Sequence, residues 1–116
     1  MTYCATSYDF DLPETSFIAG DHKELNFTVY TSGCSLADLT DDTISWKLAP
    51  WGETTSVLTK AGVSGSPTSG VFKVTLLSAD TYSLGGKYIQ QYSITTSSGS
   101  TFVPSRGVVN IVPIIV

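Results

Sequence analysis

A chain of 116 residues with 41% apolar and only 14% charged side chains is sized for one domain and rich enough to bury one core. Disorder goes with low hydrophobicity and high charge, and neither holds here. A net charge of −4, with 6 basic residues scattered along the chain, makes no basic patch, so no nucleic-acid partner is expected; no apolar run reaches the ~20 residues that span a bilayer, so no membrane role is expected either.

Residues 1–14 read as an N-terminal arm and residues 15–116 as the domain. Phe10, Leu12 and Pro13 make the arm apolar enough to dock. The start lacks a basic n-region and an apolar h-region, so Sec export is not expected. Cys4 lies near the start, but without the apolar segment of a lipoprotein signal. Cys4 and Cys34 permit one bridge; two reduced thiols are the expectation for a protein made in the cytoplasm.

Strict alternation then marks the strands. Ser16 to Ile18 is a short one. Glu24 to Tyr30 sets Leu25, Phe27 and Val29 on one face; Thr43 to Leu48 does the same with Ile44, Trp46 and Leu48. Ser56 to Lys60 is another short candidate, and Val71 to Leu76 turns Phe72, Val74 and Leu76 inward. Lys87 to Ile94 lines up Tyr88, Gln90, Tyr92 and Ile94, with the polar Gln90 placed near a sheet edge. Val108 to Val112 is the last strand. Turn signals separate them: Ala19-Gly20-Asp21, Thr31-Ser32-Gly33, Pro50-Trp51-Gly52, Gly65-Ser66-Pro67, Gly85-Gly86 and Ser98-Gly99-Ser100. One helical turn or two fits Ser78 to Leu84, with Ser78 as N-cap and Gly85 as stop. Short alternating strands between frequent turns predict an all-β chain, an immunoglobulin-like antiparallel β-sandwich of about seven strands.

Groups able to carry chemistry are sparse. His22 is the single histidine, which excludes a multi-histidine metal site; beside Asp21 it reads as a turn residue. Gly65-Ser66-Pro67 and Gly99-Ser100-Thr101 do not form a nucleophile elbow. Asp38, Asp41 and Asp42 share a loop but lack calcium-loop spacing, so turn formation is the expected role. Asp9, Asp11 and Glu14 lie in an arm that cannot fix two acids across a sugar ring, and Gly85-Gly86-Lys87 lacks the spacing of a phosphate loop. No catalytic, cofactor-binding or metal residue is assigned, and no enzyme is expected. Trp46 falls on an inward phase and belongs to the core. Trp51, in a turn, is expected to be exposed, either packing locally over the strand ends or serving as an interface anchor or a platform for a sugar. Tyr88, at a strand start, suits a tyrosine corner. Asn26-Phe27-Thr28 matches a glycosylation sequon but lies in mid-strand and is discounted.

The order Gly20-Asp21, Leu25 to Val29, Leu39-Thr40, Thr43 to Leu48, Gly70 to Val74, Gly86-Lys87-Tyr88 and Gly107 resembles the immunoglobulin-like N-terminal module of phage baseplate upper proteins and related modules on phage heads and tails. It covers about 90 residues. Baseplate upper proteins continue into helical and fibre regions. Taken as a complete gene product, this chain would lack them, and the resemblance then implies a standalone bacteriophage structural protein located in the virion: a capsid decoration, head-fibre-anchoring, neck or tail adaptor subunit. Its partners would be other virion proteins of capsid, neck or tail, or further copies of itself, held through Phe10, Leu12, Trp51, Ile114 and Ile115. Two other readings are a carbohydrate-binding adhesin module that takes a host glycan on Trp51 and a baseplate-upper-protein-type component.

Overall fold

The structure, a computed structural model, describes residues 14–29 and 38–115. Its strands are β1 (Thr15–Ile18), β2 (Lys23–Thr28), β3 (Thr43–Pro50), β4 (Leu58–Ser66), β5 (Val71–Leu76), β6 (Gly86–Thr95) and β7 (Thr101–Val112), with a single helical turn α1 (Ser78–Thr81) between β5 and β6. They hydrogen-bond in the order β1-β7-β6-β3-β4-β5-β2. The order folds over at β4: Leu58 to Gly62 pair with β3, whereas Val63 and Ser66 pair with β5. The result is an all-β immunoglobulin-like sandwich. One layer is β1, β7, β6, β3 and the first half of β4; the other is the second half of β4, β5 and β2. All pairings are antiparallel except β1 with β7, which run parallel from Thr15↔Val109 to Ile18↔Val112.

The alternation read from sequence is the burial pattern of the strands. Leu25 and Phe27, Ile44, Trp46 and Leu48, and Phe72, Val74 and Leu76 are all buried in one core cluster. Each such side chain stabilises the fold by about 1.5–3 kcal/mol. Phe27 and Phe72 stack across β2 and β5 with centroids 4.9 Å apart, and Tyr92 of the facing layer meets Phe72 edge-on at 5.0 Å. This aromatic trio joins the two layers, with geometries favoured by ring quadrupoles.

Several boundaries differ from the sequence reading. β4 runs on past Lys60 to Ser66, into the Gly65-Ser66-Pro67 segment that reads as a turn in sequence. Gly62, inside it, is the crossing point between layers, where a Cβ would lie 2.6 Å from Ile44 Cγ2 and 2.8 Å from Phe72 Cδ2. β7 begins at Thr101 and not at Val108; its register against β6 shifts between Tyr92 and Ile94, which breaks the alternation. Gln90 is not near an edge. β6 lies between β3 and β7, and Gln90 is 2% exposed, its Oε1 accepting the Trp46 Nε1–H at 3.0 Å. Ser78 does not cap the helical turn: Leu77 holds the cap position, and the Asp80 carboxylate accepts the Leu77 N–H at 2.8 Å.

Tyr88 forms the expected corner. Its hydroxyl accepts the Gly85 N–H and donates to the Gly85 carbonyl, both at 3.1 Å. The turn from β1 to β2 is fixed by Gly20, at φ +83°, whose N–H donates to the buried Thr81 hydroxyl at 2.9 Å.

Candidate functional site: sheet edges and outer faces

Among the described residues, the groups with chemical potential do not converge. His22 is exposed in the turn before β2. Among the described residues, no three His, Cys, Asp or Glu side chains gather as a metal site would require. Cys4, Cys34, Asp9, Asp11, Phe10 and Leu12 lie outside the described residues.

The Asp38–Asp42 loop is organised by turns. The Asp38 carboxylate accepts the Thr40 hydroxyl at 2.6 Å and the Thr40 N–H at 3.0 Å, which holds its pKa below the ordinary carboxylate value. Leu39, 3% exposed, pins the loop into the core, and Asp41 takes a positive φ of 63°. Asp42 is pushed the other way, by burial first and then by the charges of Asp38 and Asp41; its Oδ2 is buried without a hydrogen-bond partner among the described residues. A raised carboxyl pKa means that the folded state disfavours the charged form. Asp42 therefore costs stability at neutral pH, and the cost is relieved as pH falls through the carboxylate range. Asp42→Asn is expected to raise the melting temperature slightly at pH 7, with the gain fading on acidification; thermal melts of both proteins across pH check this. Asp80 has the opposite sign. The Lys60 ammonium, 2.7 Å away, holds its pKa low, so its contribution is present at neutral pH and lost in acid.

Trp51 is exposed, as expected of its turn, at 44%. One face of its ring is already taken: the Lys87 ammonium lies 3.8 Å from the ring centroid, within cation–π range. A sugar stacking on that face must displace Lys87. Of the tail, Ile114 packs against the core and Pro113 packs over Gly85, so both serve the fold; Ile115 is 96% exposed. Ile18 and Val112, paired side by side in β1 and β7, are 57% and 52% exposed and extend the apolar surface at this end.

Two further features gave no signal in the sequence, because each depends on which strands become neighbours. The first is the outer edge of β2, the terminal strand of its layer among the described residues. Val29 N–H bonds to Gly70 O at 2.8 Å in register with the β2–β5 ladder. By antiparallel alternation, the main-chain groups of Glu24, Asn26 and Thr28 then face away from β5. A groove of about 480 Å³ runs along this edge, lined by residues 23 to 28, Thr15 and Gln90. The second is the outer face of β3, β6 and β7, where Lys47, Gln91 and Arg106 stand in one cross-strand row.

No protein-family model matches the sequence, and no curated protein matches it. Solved structures share the fold: CopC from Methylosinus trichosporium OB3b matches over 89% of this chain and 87% of its own, with a TM-score of 0.50 and 12% identity. A likeness at that identity extends to the fold alone.

Proposed function

We propose that this chain is a non-catalytic docking module, a bacteriophage virion accessory subunit of the capsid-decoration, head-fibre-anchoring or neck and tail adaptor kind. The observation that carries docking is the outer edge of β2. Edge strands are normally blunted by proline, bulges or charge. β2 pairs with β5 in regular register over all six residues and contains no proline. Its charges, Lys23 and Glu24, sit at one end, and Glu24 lies 3.7 Å from Lys73. An extended segment of a neighbouring virion protein entering the groove would find the N–H and C=O groups of Asn26 and Thr28 presented for strand addition. The virion setting is supported by the turn-and-strand order that resembles phage modules. Multiple weak contacts on a repeating lattice then add through effective concentration.

Asn26→Pro tests the mechanism. It removes an N–H that β5 does not use, so the variant should keep the β-rich circular-dichroism spectrum of the parent while losing retention on purified particles. Retention of the variant at parental occupancy would eliminate strand addition at β2. Failure of the parent chain to stay with particles would eliminate the virion setting.

A further inference from the structure

The outer face of the β3–β6–β7 layer has a charge opposite to that of the protein as a whole. The chain carries net −4, yet three of its 6 basic residues, Lys47, Lys87 and Arg106, occur on these strands at outward positions. Lys47 stands opposite Gln91, and Gln91 opposite Arg106, so an ammonium, a carboxamide and a guanidinium sit in a single row across adjacent strands. Cross-strand neighbours lie about 4.5–5.5 Å apart at Cβ, close enough for one small ligand to touch all three. The loop between β3 and β4 lines the same groove with Glu53 and Ser56, and Ile89 gives an apolar wall. Together they bound a groove of about 260 Å³. That is below the ~300–1,000 Å³ typical of sites for drug-sized molecules, and it suits one residue-sized group.

We infer that this groove is a binding site for an acidic saccharide, one sugar ring bearing a carboxylate. A guanidinium and an ammonium on one row match a carboxylate through charge-assisted hydrogen bonds. The carboxamide, the Glu53 carboxylate and the Ser56 hydroxyl offer the mixed donors and acceptors that ring hydroxyls require. A simple carboxylate uses only the two cations and leaves the remainder idle, which is why the polyol acid is favoured over an acidic peptide side chain. The site is separate from Trp51, whose ring is engaged by Lys87, and from the β2 edge, so it stands or falls independently of particle docking.

The test is a titration of the isotopically labelled full chain with methyl glucuronide, methyl glucoside and N-acetylglutamate, followed by amide NMR. Methyl glucuronide should move the resonances of Lys47, Gln91 and Arg106. Loss of one charge-assisted bond should weaken it about tenfold in Lys47→Gln or in Arg106→Gln. Trp51→Ala should leave the affinity unchanged, and added salt should reduce it. Lys47 is exposed, so its substitution keeps the fold even if that of Arg106 does not. Absence of glucuronide binding, equal binding of the uncharged glucoside, or equal binding of N-acetylglutamate would each overturn the assignment.

Discussion

Replacing Trp46 with alanine is expected to destabilise the domain by about 3–5 kcal/mol, the usual cost of truncating a buried tryptophan. Trp46 is 1% exposed, and its indole N–H is satisfied by Gln90, itself 2% exposed. The pair therefore combines a packing effect with a polar one. Gln90→Leu keeps most of the volume but leaves the indole donor without its acceptor, at a cost of about 1–3 kcal/mol. Trp46→Phe leaves the carboxamide in the same position. Because each single change orphans the other partner, the double change Trp46→Phe with Gln90→Leu should cost less than the sum of the two, by about 0.5–3 kcal/mol. Urea unfolding of the four proteins measures that coupling. Strict additivity would mean that the hydrogen bond contributes nothing to the fold.

Gly62 is the second position where a small change has a large expected effect. A methyl group there meets Ile44 at 2.6 Å and Phe72 at 2.8 Å, side chains that belong to opposite layers. Gly62→Ala should cost about 1–3 kcal/mol through overpacking, and Gly62→Val more. At roughly 4 °C per kcal/mol for a domain of this size, the alanine variant alone should melt several degrees below the parent. Ile44→Ala introduced alongside Gly62→Ala vacates the space that the new methyl needs. The pair should then be more stable than the separate costs predict, as read from thermal melts.

These two sites show where the sequence was informative and where it was not. Wherever polar and apolar residues alternate without interruption, as in Leu25 to Thr28, Thr43 to Leu48 and Val71 to Leu76, the inward face was legible from period two alone. Gln90 broke the chemical pattern while keeping its phase. Polarity suggested an edge, but the indole 44 residues away made burial affordable, and local reading cannot see such a partner. Gly62 and Gly107 both resemble breakers, although each lies inside a strand. The first is glycine because two layers close on it; no property of its neighbours in sequence announces that. The same limit applies to the candidate sites. Trp51 and Ile115 are conspicuous as exposed apolar residues, whereas the Lys47–Gln91–Arg106 row and the β2 edge exist only once the strand order is known. Ile114, which looked equivalent to Ile115, is drawn inward by the core.

The parallel pairing of β1 with β7 has a mechanical consequence. The chain enters β1 at Thr15, beside Val109, and leaves β7 at Val112, beside Ile18. Tension applied at Thr15 and at Val112 therefore pulls the strands lengthwise past each other, and the bonds between them share the load and must yield together. Had the strands run antiparallel, the same pull would have opened them one bond at a time. A pair of strands wired in this way resists stretching best along the line from Thr15 to Val112.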